Sequence, residues 1–193
     1  MKYIWILFLF VGIYTTQAQT DFSTRLSNAA LLLTRDKVVY DPSYVTMPYP
    51  NGDVPKGAGV CTDVVIRAYR KLGIDLQKEV HTDMARNFSK YPNTWNLKTT
   101  DTNIDHRRVP NLQVFFTRFG KSLPVTANAA DYRTGDLVTW MIDDKLPHIG
   151  IVTHKKSLNG TPLIVHNVGA GQVLENCLFN YKITGHYRCT PVQ

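Results

Sequence analysis

The hydrophobic period changes once along this chain of 193 residues, and that change limits what it can fold into. Before Gly120, apolar residues recur at helical spacing. Leu26, Ala29, Ala30 and Leu33 mark a helix over Asp21 to Arg35. Val64, Val65, Ala68 and Leu72 mark a second that follows Cys61 and stops at Gly73, with Arg67, Arg70 and Lys71 on its water side. Val80, Met84 and Phe88 mark a third over Glu79 to Phe88. Leu112, Phe115, Phe116 and Phe119 mark a fourth after Pro110, ended by Gly120. From Tyr132 onward the residues turn β-rich. Asp136 to Ile142, His148 to Thr153 and Leu163 to Val168 read as strands, with turns at Asp143-Asp144-Lys145 and Asn159-Gly160. Cys177 to Tyr181 and Gly185 to Thr190 supply further strand candidates. Helices first and strands afterwards predict an α+β fold with N-terminal helices packed on an antiparallel sheet.

The first residues are a separate matter. Lys2 precedes the apolar run Ile4 to Ile13, and Thr15-Thr16-Gln17-Ala18 gives a small-residue exit. This reads as a secretory signal peptide, residues 1–18, because the run is shorter than the roughly 20 residues of a spanning helix. The remaining residues 19–193 suit a single domain, with no integral membrane segment once the signal is removed and a periplasmic or secreted location. The net charge of +7 suits an anionic partner such as a cell-wall polymer. No stacked run of lysines and arginines marks a nucleic-acid site, so no nucleic acid is expected. The domain is expected to act as a monomer. Three cysteines leave at least one unpaired. Either Cys177 and Cys189 bridge the C-terminal strands, leaving Cys61 free, or all three are thiols.

Cys61 lies in Gly57-Ala58-Gly59-Val60-Cys61-Thr62-Asp63, a small-residue loop that opens the second helix. A helix start carries partial positive charge and unpaired N–H groups, which favour a thiolate. Its own N–H is a candidate oxyanion donor. Pro147-His148-Ile149-Gly150-Ile151-Val152 sets a histidine at the head of an apolar strand. A cysteine nucleophile with a histidine base is an arrangement for acyl transfer through a thioester. The third member that would orient the imidazole is His166 or Asn167. Strand alternation lets only one of the two point at His148.

These segments resemble the NlpC-type peptidases of the papain-like superfamily. The match is carried by Val60-Cys61-Thr62-Asp63-Val64-Val65, Thr134-Gly135-Asp136-Leu137-Val138, His148-Ile149-Gly150-Ile151-Val152 and Val165-His166-Asn167. More narrowly, Gly59 to Arg67 and Ile104 to Leu112 resemble an exported bacterial family of unknown function within that superfamily. Thr62-Asp63 departs from the serine-glycine usual after the cysteine, and the segment between Cys61 and His148 is longer than in small NlpC domains. The resemblance implies a papain-like fold and an exported cysteine amidase or endopeptidase acting on peptidoglycan stem peptides. It favours His166 as third catalytic residue beside Cys61 and His148, and implies a cleft role for Tyr49.

Asp63 joins Tyr49 among the candidate substrate contacts, and so do Arg107 and Arg108. Paired arginines can clamp the carboxylates in which stem peptides are rich. The competing role for one of the two is a structural ion pair, for example with Asp53 or Asp83. The turn-rich stretch Tyr40 to Gly59 reads as a loop walling the cleft. No short paired metal-ligand spacing occurs among His148, His154, His166 and His186, so neither metal nor cofactor is expected. A non-catalytic module that binds a peptide or wall ligand in the same cleft is the alternative function.

Overall fold

The structure is a computed structural model, and it describes residues 22–189. The region read as a signal peptide lies outside the described residues. Among these, no helix is long and apolar enough to cross a membrane.

Helices lead and strands follow. Helix α1 covers residues 22–33. A two-residue parallel ladder joins β1, Val39–Tyr40, to β2, Ala58–Gly59. The turn-rich loop is therefore clasped at its two ends by regular pairing. Then come α2, Cys61–Lys71, α3, Leu76–Arg86, and α4, Val109–Phe119. Short 3₁₀ turns lie at Phe88–Lys90, Asp105–Arg107 and Ala129–Asp131. The strands are β3, Lys121–Ser122, β4, Leu137–Ile142, β5, Leu146–Lys156, β6, Pro162–His166, β7, Val173–Glu175, and β8, Lys182–Arg188. They form one six-stranded sheet in the order β3-β8-β4-β5-β6-β7, with antiparallel neighbours throughout. The fold is α+β, with the cysteine helix before the antiparallel strands.

Three sequence expectations need correction, and one open alternative is decided. Arg67 does not face water: it is buried on α2 and its guanidinium pairs with Asp53 at 3.1 Å. Residues 177–181 are not a strand. The apolar residues there, Cys177 and Leu178, plug the outer face of the sheet, and the edge strand forms instead at Val173–Glu175. Of the two cysteine alternatives the structure has the all-thiol one: Cys61, Cys177 and Cys189 are free. Cys189 instead packs in the helix-side core, away from the cluster that holds Cys177. The third helix starts earlier than periodicity suggests, because the Asp75 side chain caps it by accepting from Gln77 N–H at 3.0 Å.

Period-2 alternation divides the sheet between two cores. Leu137, Ile149, Ile151, Val165 and Tyr187 face the helices, meeting Leu26, Val65, Leu112 and Phe116. Val138, Trp140, Val152 and Ile164 face the other way and are covered by Tyr132, Cys177 and Leu178. Cys61 belongs to the helix-side core.

Candidate functional site

The start of α2 is held by charge. Val60 N–H donates to Asp63 Oδ2 at 2.7 Å, which satisfies one of the free donors at the helix start. Arg107 then grips the same carboxylate with its fork, Nε to Oδ1 at 2.9 Å and Nη2 to Oδ2 at 3.1 Å. Its Nη1 donates to the Ser43 carbonyl at 3.1 Å, and Thr62 Oγ1 donates to the Arg107 carbonyl at 3.1 Å. Asp63 and Arg107 are both buried. These two expected substrate contacts thus bind each other and fix the helix that opens with Cys61 to the turn at Asp105–Arg107.

Cys61 itself is buried against β5. Burial pushes its thiol up to about 12, outweighing hydrogen bonds from the backbone N–H groups of Ile149, Thr62 and Cys61, while the charge of Asp63 adds to the rise. The helix start therefore does not produce a resting thiolate, because desolvation wins over the backbone donors. The N–H of Ile149 belongs to the residue after His148, so the sulfur sits against the strand that carries the expected base. Among the described residues Cys61 makes no hydrogen bond to the His148 ring.

His148 and His166 meet on adjacent strands. Trp140 opposes His148 in the β4–β5 register, and their rings lie 5.7 Å apart. Gly150 leaves the space beside them open, since a Cβ there would come within 3.2 Å of the His166 Cβ. His148 Nε2 lies 2.9 Å from His166 Nδ1, and the two rings cross edge to face. Burial, then the neighbouring His166, pushes His148 down to about 3. His166 is also held below the usual histidine range by burial, with Glu175 opposing that shift. Of the two residues considered for the third position, His166 meets His148. Asn167 is turned to the loop, where its Nδ2 donates to the Gly59 carbonyl at 3.0 Å and its Oδ1 accepts from Gly169 N–H at 3.2 Å.

Two residues of the site escaped sequence reasoning. Glu175 Oε2 lies 2.9 Å from His166 Nε2, and the carboxylate is half exposed. It stands on the short edge strand β7, where nothing in the local pattern signals a strand. Tyr40 is brought to the site by its pairing with Gly59. Its phenol is raised above the ordinary range by burial and then by the proximity of Cys61 and Asp63, and it has no hydrogen-bond partner among the described residues. Only a long-range pairing places it there, 21 positions before the cysteine.

The remaining candidates lie apart from this cluster. Tyr49 is exposed, with its ring edge-on to His81 at 5.0 Å. Arg108 stacks over Trp95 at 4.0 Å and stands 3.9 Å from Asp105, with no hydrogen bond to its Nη1. Asp53 and Asp83 are taken by other arginines, Arg67 and Arg70 for the first and Arg118 for the second. Asp136 of the glycine-aspartate motif is a structural knot, bound by Arg188 and His186 at 2.7 Å each. His154 is occupied with Ser27. His166 Nε2, a Glu175 oxygen and Cys177 Sγ lie within 4.8 Å of one another, close enough to share an ion. In the structure the ring nitrogen is engaged by Glu175.

Comparison with known proteins places the chain in a family. The chain belongs to the family described as "Domain of unknown function (DUF1287)", which matches residues 27–189. It is 49% identical over 172 residues to a protein of Escherichia coli (strain K12) described as "Uncharacterized protein YijF", covering 89% of this chain and 84% of that one. Among solved structures it resembles "Structure of NlpC1 from Trichomonas vaginalis", with a TM-score of 0.46 and 14% identity. That alignment covers 86% of this chain, which spans 44% of the NlpC1 chain.

Proposed function

We propose that this member of the DUF1287 family is an exported cysteine amidase or endopeptidase. In this reading Cys61 is the nucleophile, His148 the base and then acid, and His166 the residue that orients it. The observation that carries the reading is the buried hydrogen bond between His148 and His166 on strands beside the helix that opens with Cys61. A purely structural pair of buried polar rings is a costly way to fill a core, whereas a base needs such support.

Because the thiol sits at about 12 and the imidazole at about 3, the resting pair is neutral. The proton would therefore move as the bond forms. The S–H bond breaks, its proton passes to His148, and the sulfur electron pair attacks the amide carbonyl carbon. The carbonyl oxygen becomes an oxyanion, with the Cys61 N–H as a donor. His148 then returns the proton to the leaving amine, giving the thioester, and water releases the acid. Binding of substrate would draw the thiol and imidazole together, as apo sites commonly hold their catalytic contacts loose.

The substrate proposed is a peptide amide in a peptidoglycan stem, met in the periplasm or outside the cell by a monomeric protein. The net charge of +7 suits that anionic polymer, and Tyr49 and Arg108 supply an exposed aromatic ring and a cation for it. Mass spectrometry of protein quenched in acid during incubation with stem peptides tests the mechanism. An acyl adduct on the fragment containing Cys61 is the expected result, and turnover without any such adduct would reject the thioester route.

A second reading is favoured by one observation: the buried Cys61 thiol has no hydrogen bond to His148. On it, the domain binds a wall peptide without cutting it. Ligand binding by both the unaltered protein and Cys61→Ala, with no products from either, would establish it.

A further inference from the structure

The hydrogen bond between the two histidines continues to a carboxylate, and the carboxylate decides which ring nitrogen carries each proton. We propose that Glu175 is a positioning residue that fixes the tautomers of His166 and His148, leaving Nδ1 of His148 as the bare nitrogen that serves as base. The proposal rests on the cysteine-hydrolase reading and extends it to a residue on a different strand.

The derivation starts from Glu175. A carboxylate only accepts hydrogen bonds, so the 2.9 Å contact requires a proton on His166 Nε2. A bare ring nitrogen at that distance would set two lone pairs against each other. A neutral imidazole carries one N–H, so His166 Nδ1 is an acceptor. The 2.9 Å contact to His148 then requires a proton on His148 Nε2. His148 is also neutral, so its Nδ1 holds a lone pair. Burial keeps both rings uncharged at neutral pH, which makes the one-proton-per-ring count valid.

Proton balance follows directly. When the Cys61 proton arrives at His148 Nδ1, one S–H bond is exchanged for one N–H bond. His148 becomes a cation that keeps its Nε2–H bond to His166, and no proton travels further. The negative charge of Glu175, one ring away, favours that cation.

Glu175 has a nearby competitor in Cys177, whose Sγ lies 3.4 Å from the same His166 nitrogen. A thiol can donate or accept, so alone it imposes neither tautomer. Burial holds this thiol at about 12, so it stays protonated. Removing the carboxylate therefore frees the chain of rings to reverse. A glutamine at 175 does the same, because an amide offers both a donor and an acceptor.

The test is ¹H–¹⁵N correlation spectroscopy of the ring nitrogens in the full protein at neutral pH with a chelator present, assigned by comparison with His148→Gln. The unaltered protein is expected to show His148 and His166 protonated at Nε2 alone. Glu175→Ala and Glu175→Gln are expected to give shifts averaged between tautomers for both rings, with Glu175→Asp in between. A His148 protonated at Nδ1 in the unaltered protein overturns the proposal, and so do unchanged tautomers in both Glu175 variants. Glu175 is half exposed on a three-residue edge strand, so its replacement leaves the core intact. The readout needs no substrate. An inactive protein with the expected tautomers would count against the hydrolase reading alone, and an active one with wrong tautomers would count against Glu175 alone.

Discussion

Arg107 closes its guanidinium fork on Asp63, Nε to Oδ1 at 2.9 Å and Nη2 to Oδ2 at 3.1 Å, with both side chains buried. The two residues lie 44 positions apart. Their pairing holds the first turn of the cysteine helix to the 3₁₀ turn before α4. A tight buried ion pair of this kind is satisfied only as a pair: neither charge can be left alone without cost.

Asp63→Ala or Arg107→Ala is therefore expected to destabilise the fold by about 3–5 kcal/mol, read as a lower urea midpoint. The double variant Asp63→Leu/Arg107→Met should lose much less than the sum of the single losses, since no lone charge remains. Additive losses would show that the pair is not the unit described here.

Stability should fall on mild acidification. His106 and His148 are each pushed down to about 3 by burial, against 6.5 in an exposed chain. Below 6.5 the unfolded chain takes up protons that the native state refuses. The stability is thus complete above that pH and is lost as pH falls toward about 3. Urea midpoints between about pH 7 and about pH 5 should drop, and His106→Gln should flatten the slope. Asp105, whose carboxyl burial raises, opposes this at the lower end. A flat profile would contradict neutral buried histidines.

The resting thiol should be slow to alkylate. With Cys61 at about 12, iodoacetamide should label it far more slowly at neutral pH than it labels the unfolded chain, whose thiols ionise near about 8.5. The rate should climb steadily with pH. Rapid labelling that is flat across neutral pH would indicate a thiolate already present.

Gly150 is required by close approach. A Cβ there would lie 2.6 Å from Ile164 Cγ2 and 3.1 Å from the Val165 carbonyl oxygen. Ile164 is β-branched and fully buried, so it cannot swing aside. Gly150→Ala should cost about 1–3 kcal/mol in unfolding experiments and move the His148 ring signals. A silent substitution would mean that β5 and β6 are looser than the structure has them.

The order of elements was legible because it rests on local periodicity. Leu112, Phe115 and Phe116 declare α4, and Ile149 and Ile151 declare β5, without help from distant residues. Cys61 and His148 were visible for the same reason, as one opens a strongly patterned helix and the other stands just before the apolar run of β5. What the sequence hid depends on pairing across the chain. Arg67 has the composition of a solvent-facing residue and is buried by Asp53, 14 positions away. Arg107 and Arg108 are adjacent and look alike, yet one is locked to Asp63 and the other lies over Trp95. Tyr40 reaches the site through a two-residue ladder and Glu175 through a three-residue edge strand. Elements that short carry almost no periodic signal. The thiol's ionisation was misjudged because the helix start is visible in sequence and the desolvation over it is not.

The most direct test of the central claim is the release of fragments from purified peptidoglycan by the unaltered protein beside Cys61→Ala, with both shown to be folded. New fragments from the unaltered protein and none from the variant are predicted, and their masses name the bond cut. Equal release by Cys61→Ala would contradict Cys61 as the nucleophile.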